Sequence, residues 1–177
     1  MIYVGTLIYQ ANKDAILYFL DKIYPMIKNQ LMGVKLLLLS WYKPKLLQKY
    51  LASDQSISLI QDRETPVFEF LKKADILIAP LRIAGGTNIK ILEAMAAGLP
   101  VLTSSVSAKG LGVGFKSVLT IADSEEEFAS QAISLLNDQE KRQKLGLAGR
   151  RLVEKSYDWR TISLKLQTIY RQNVKKA

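Results

Sequence analysis

"PLRIAGGTNIKILEAMAAGLPV", residues 80–101, is the stretch that decides the fold. An apolar segment runs into Pro80, and a loop with the pair Gly85–Gly86 follows. The apolar spacing then predicts a helix over 87–97, stopped by Gly98 and Pro100. A new apolar segment begins at once. Strand, loop, helix, strand is the unit of a parallel sheet. The helix is apolar almost all round, yet it carries Lys90 and Glu93. Burying charge costs several kcal/mol unless something compensates. These two side chains therefore call for a partner, a ligand or water.

The same alternation extends in both directions. Short apolar strands are expected at 2–5, 34–40, 56–60, 75–81, 100–104 and 117–122. Helices are expected at 12–30, 44–51, 65–74 and 87–97, then at 124–137, 138–155 and 159–174. Ile16, Phe19, Leu20, Ile23 and Ile27 give the first helix its buried stripe. Thr65 reads as an N-cap with Pro66 at the first helical position. The result is an α/β domain, a Rossmann-like, doubly wound, parallel six-stranded sheet with helices on both faces. The whole of 1–177 reads as one such domain, and opening directly on a strand suggests a missing upstream part. With strand order 3-2-1-4-5-6, the winding reverses between the first and fourth strands. The loops there are "GTLIYQANK" (5–13) and "PLRIAGGTN" (80–88), so topology aims the opening stretch at a ligand crevice.

Composition narrows the chemistry. The chain has no cysteine and no histidine, which excludes disulfides, Cys/His metal sites and His-dependent triads. Residues 140–177 hold eleven Lys/Arg against three Asp/Glu, a net +8 of the total +9. That tail reads first as a solvated helix face and second as a contact for an anionic membrane. No nucleic-acid reading motif accompanies it. The first residues lack the basic and apolar regions of a signal peptide, so a cytoplasmic location is expected, with the inner membrane face as the place of any contact. The turn after the first strand lacks G-x-G-x-x-G, and there is no Walker A lysine motif, which argues against a dinucleotide oxidoreductase or a P-loop enzyme.

A helix N-terminus behind a glycine pair is a ready anion site. Lys90 in its first turn adds a positive charge, and Glu93 three residues on shares its face. Together they suit a ligand with phosphate and hydroxyl groups. The plain alternative is that Lys90 and Glu93 pair only with each other, and that the glycines form an ordinary tight turn.

"ADILIAPLRIAGGTNIKILEAMAAGLPVLTSS" resembles the donor-binding, C-terminal half of GT-B fold glycosyltransferases, in particular the retaining, nucleotide-sugar-dependent enzymes of bacterial polysaccharide synthesis. "YVGTLIYQANKDAILYFLDKIYPMIK", "SAKGL" (107–111), "KSVLTIADSEEEFASQAISLLND" and "YDWRTISLKLQTIYRQ" resemble further segments of that family in the same order. The resemblance implies binding of a nucleotide-diphosphate sugar and glycosyl transfer to an acceptor hydroxyl. It implies that Glu93, the second glutamate of a Glu-x7-Glu motif, binds the donor ribose. Gly86, Thr87 and Asn88 would lie over the diphosphate, and Lys90 would stabilise it as it leaves. Gly85 stands where the first glutamate would be; Thr6, after Gly5, stands where many members carry an arginine. Lys13 lies near the place of a companion lysine, and the departures shift phosphate binding toward Lys90 or Arg82. No metal and no further cofactor is implied. An N-terminal acceptor domain is expected in addition, and without it this chain would bind nucleotide weakly and transfer nothing. The closing helix would cross toward that domain, which would leave part of the stripe Trp159, Ile162, Leu166 and Ile169 exposed here. A non-catalytic Rossmann-like module for a phosphorylated metabolite or nucleotide is the alternative reading.

Overall fold

The computed structural model describes residues 1–112 and 114–174. Six strands, β1 Ile2–Val4, β2 Leu36–Leu39, β3 Ile57–Ile60, β4 Leu77–Ala79, β5 Val101–Thr103 and β6 Thr120–Ile121, form one sheet. Their order is β3-β2-β1-β4-β5-β6, with every pairing parallel. β1 sits in the middle, with Ile2 and Tyr3 fully buried. The winding reverses between β1 and β4, as the alternation of elements predicts.

The chain between β1 and β2 is one long helical rod: α1 Gln10–Tyr18, a π-helical turn Phe19–Ile23, and α2 Tyr24–Gln30. It starts at Gln10 rather than at residue 12. Between β2 and β3 a 3-10 turn leads into α3 Gln48–Ser53. α4 Val67–Leu71 precedes β4, and α5 Ile89–Ala96 precedes β5. α6 Ser105–Ala108 follows β5; after β6 come α7 Glu125–Asn137, α8 Gln139–Tyr157 and α9 Trp159–Val174. α7 packs on the α1–α2 rod, where Phe19 meets Phe128 edge-on at 6.0 Å. α8 packs on α5.

Among the expected boundaries that move, three do so for a plain local reason. Thr65 does not cap α4. Pro66 is extended and takes the N-cap position itself, while Asp62 accepts the N–H groups of Glu64 (2.8 Å) and Thr65 (3.0 Å) in a turn upstream. The strand expected at 117–122 shrinks to Thr120–Ile121. Gly114, at φ 96°, launches a 3-10 turn over Phe115–Ser117, and the N–H groups of Val118 and Leu119 bond back to Phe115 O instead of joining β5. α5 begins at Ile89, not 87, because Asn88 is extended and its side chain is drawn to Ser107 O.

The end of α5 is as read. Gly98 at φ 74° sends its N–H to Met95 O (2.9 Å), and Leu99 sends its N–H to Ala94 O (2.9 Å). That is a Schellman closure, which requires the left-handed residue that glycine supplies. α9 leaves the body of the domain. Trp159 is 82% exposed, and Leu164, Leu166, Ile169 and Tyr170 are exposed too. Among the described residues no helix is long and apolar enough to cross a membrane.

Candidate functional site

The carboxyl ends of β1 and β2 open onto a cleft of about 130 Å³. Gly5, Thr6, Ser40, Trp41, Val67 and Glu93 line it. Glu93 reaches it from the middle of α5. Its carboxyl pKa is raised by burial against the cleft wall, and Lys90 opposes that rise. The cleft thus joins the loop after β1 to the helix after β4, across the switch point.

Lys90 takes a different direction. Its Nζ donates to Asn12 Oδ1 at 2.8 Å and to the Tyr3 hydroxyl at 3.4 Å, and it lies 4.7 Å from the centre of the Tyr3 ring. The Tyr3 hydroxyl in turn donates to Asn12 Oδ1 (3.1 Å), and Asn12 Nδ2 donates to Thr6 O (2.9 Å). Lys90 therefore ties α5 to β1 and to the start of α1. Burial pulls its ammonium pKa down to about 8, with Glu93 opposing. Among the described residues no Lys90–Glu93 pair comes within 4.0 Å. The plain i, i+3 pairing is not the geometry adopted.

Gly5 is the point where the two meet. A Cβ on Gly5 would stand 2.9 Å from Lys90 Nζ and 3.1 Å from Asn12 Cγ. Gly5 thus borders the cleft on one side and the buried ammonium on the other. A side chain there would displace Lys90 or seal it off.

The glycine loop is braced from behind. Gly86 has φ 66°, and its carbonyl oxygen packs so closely on Gly110 that an added Cβ would come within 1.9 Å. Thr87 Oγ1 donates to Gly110 O (3.2 Å), and Asn88 Nδ2 donates to Ser107 O (2.9 Å). Ser107 is buried and held by Ser104, whose hydroxyl caps α6. The segment 107–111 thus fixes 86–88. Among the described residues no side chain caps α5; the Ile91 N–H bonds back to Asn88 O (3.0 Å), and the amides before it and the positive end of the helix dipole are left for solvent or an anion.

The other sequence-selected residues lie apart from this cleft. Arg82 forms a two-pronged ion pair with Asp14 of α1 and stacks 4.4 Å over the Tyr18 ring. Its charge is engaged there. Gly85 is exposed, with nothing within 4 Å of a built Cβ. Lys13 sits in α1, its N–H bonded to Tyr9 O. The structure brings together Gly5, Thr6 and Glu93, sets Lys90 behind Gly5, and groups Gly86, Thr87 and Asn88 on the 107–111 loop. Tyr3, Asn12, Ser40 and Trp41 belong to the site without having been singled out from the sequence. For Tyr3 a signal existed: a hydroxyl on a central strand must find a buried partner. A second, apolar groove of about 450 Å³ lies beside the cleft, lined by Thr87, Leu92, Val153, Tyr157, Trp159 and Ile162, with Glu93 on both. Among the described residues no cluster of three or more carboxylates could hold a metal ion.

Residues 1–138 match the family model described as "Glycosyl transferases group 1". An uncharacterized 44.6 kDa protein from the cps region of Klebsiella pneumoniae is 22% identical over 98% of this chain and 45% of its own length. Sucrose-phosphate synthase from Thermosynechococcus elongatus shares the fold with a TM-score of 0.77 at 19% identity, covering 99% of this chain and 45% of that one. Anabaena Alr3699/HepE, solved in complex with UDP, does so with a TM-score of 0.70 at 12% identity, covering 97% of this chain and 48% of that one. The chain spans less than half the length of the curated relatives it matches.

Proposed function

We infer the function from family and site together: the chain belongs to the glycosyl transferases group 1 family, and it serves as the domain that binds the nucleotide-sugar donor. The observation that carries this is Glu93, a carboxylate outside any ion pair among the described residues, lining a cleft at the sheet's switch point. A carboxylate so placed accepts the hydroxyls of a ribose. The diphosphate lies over Gly5 and the uncapped start of α5, near Gly86, Thr87 and Asn88. There the α5 amides, and Lys90 behind Gly5, offset its charge.

The reaction is glycosyl transfer to an acceptor hydroxyl, with the nucleoside diphosphate as leaving group. This domain's share is electrostatic: it holds the diphosphate against fixed positive charge as the bond to the sugar breaks. The scheme uses no metal ion. The acceptor is held by a further domain of a longer polypeptide, consistent with the share of its relatives that this chain spans. UDP, bound by a neighbour of the same fold, is the first probe to use. The basic residues of α8 and α9, beside the exposed apolar face of α9, supply a peripheral contact for an anionic membrane.

Calorimetric titration of the 177-residue chain with UDP tests the site. Glu93→Gln keeps the shape and removes the charge, and it is expected to weaken UDP binding by roughly 1–3 kcal/mol, the range for a lost charged hydrogen bond. Lys90→Met is expected to weaken UDP more than uridine, because it acts on the diphosphate. If both variants stay folded and bind UDP like the unaltered chain, the assignment is wrong.

A further inference from the structure

We propose that Trp41 is the platform on which the donor's nucleobase stacks; the inference rests on the nucleotide-site reading above. Glu93 and Gly5 occupy the α5 side of the cleft, where ribose and diphosphate are placed. The base must then extend toward the other wall, which is built from the end of β2 and from Val67. Trp41 is the aromatic residue of that wall, and it is 49% exposed. A large indole facing a cleft rather than the core presents a flat apolar face to whatever enters.

Its position is fixed by a buried neighbour. Ser40 Oγ accepts the N–H of Leu7 (3.2 Å) and the N–H of Tyr42 (3.3 Å), and donates to Tyr42 O (2.9 Å). One hydroxyl thus ties the turn that carries Trp41 to the loop after β1, which forms the rest of the cleft. A platform ordered before the ligand arrives loses little freedom on binding. Among the described residues no cationic side chain lines the cleft, so on the Trp41 wall the base would meet a π face rather than a charged partner. Every nucleobase has a π face, so such a platform confers affinity for a base without choosing among bases.

Trp41→Ala is therefore expected to lower the affinity for UDP and for ADP alike, by about tenfold to a hundredfold, the range for one lost stacking contact. Trp41→Phe should retain most of the affinity. Pyrophosphate, which has no base, should bind the Ala variant as it binds the unaltered chain. The chain has two tryptophans, Trp41 and Trp159, so Trp159→Phe leaves Trp41 as the sole indole reporter. In that background UDP should quench the fluorescence and pyrophosphate should not. If UDP binding is lost with Glu93→Gln but unchanged by Trp41→Ala, the platform is overturned and the site stands. Equal losses for UDP and pyrophosphate in Trp41→Ala would show a structural role and overturn it too. A chain that does not bind UDP at all overturns both readings.

Discussion

Gly146→Ala should destabilise the domain by about 3 kcal/mol, a fall of roughly 6–12 °C in Tm for a chain of this size. Alanine normally strengthens a helix interior by up to about 1 kcal/mol relative to glycine, so the expected sign runs against propensity. The reason is contact with backbone. A Cβ at Gly146 of α8 would lie 2.0 Å from the carbonyl oxygen of Gly98 and 2.9 Å from its carbon. Gly98 is the left-handed residue that closes α5, and its backbone is held by the Schellman bonds, so it cannot give way cheaply. α8 would have to retreat from α5, which also opens the contact of Gly149 with Met95. Gly149→Ala is the internal control. The atoms nearest its Cβ would be those of the Met95 side chain, at 3.3 Å, and that flexible group can move, so the loss should stay within about 1 kcal/mol. Urea unfolding of the two variants in parallel checks this. Equal stability of the Gly146 variant and the unaltered chain would show that the close approach constrains nothing.

Stability should also rise with pH above neutrality, and Lys90 is the cause. In the unfolded chain its ammonium holds its proton up to the ordinary 10.5, in the folded chain only up to about 8. Between those values the unfolded state binds more protons, so raising the pH favours folding. Below about pH 8 both states are charged, and the cost of burying the ammonium is present in full. The gain across the window is on the order of 3 kcal/mol. The amino group of Met1, also lowered by burial, adds a slope of the same sign just below its ordinary 8.0. Tyr3, raised by burial, opposes only above its ordinary 10.0. Lys90→Met should be more stable than the unaltered chain at pH 7 and lose most of the rise, while binding UDP less tightly. Thermal unfolding at pH 7, 8, 9 and 10 tests this; parallel curves for the two proteins would remove Lys90 as the source.

The parts legible in the sequence were those governed by neighbours along the chain. Alternating apolar runs gave the strands and their parallel order. Gly98 and Pro100 marked the end of α5, and the oddity of Lys90 and Glu93 on an apolar helix pointed to the crevice. The sheet order and the family match agree with the reading of the fold; of the two charges, Glu93 lines the cleft while Lys90 turns to Asn12 and Tyr3. What escaped depends on contacts between distant segments. Lys90 meets Asn12 across 78 positions, and Ser40 holds Leu7 across 33. No periodicity reports such pairs; they follow from which strand ends lie side by side. Arg82 shows the same limit from the other side. In sequence it is a free cation beside a glycine loop, and in the fold it is paired to Asp14 across 68 positions.

The wide turn at Phe19–Ile23 carries a consequence for how this rod tolerates change in length. The buried residues Ala15, Phe19, Ile23 and Ile27 recur every fourth position, and Ile16, Leu20 and Tyr24 do the same. An α-helix advances roughly 100° per residue, so three such steps would swing the stripe about 120° off the core. The Tyr24 N–H reaches back to Phe19 O, five residues away, and that one loosened turn absorbs the excess. The turn is therefore equivalent to one residue inserted into an otherwise regular rod. Removing a single residue there restores eleven positions between Ala15 and Ile27, which come round to within about 20° of the same line. Relatives with one residue fewer between β1 and β2 can thus present the same two packing surfaces on an unbroken α-helix, whereas a deletion elsewhere in the rod would turn one surface to water.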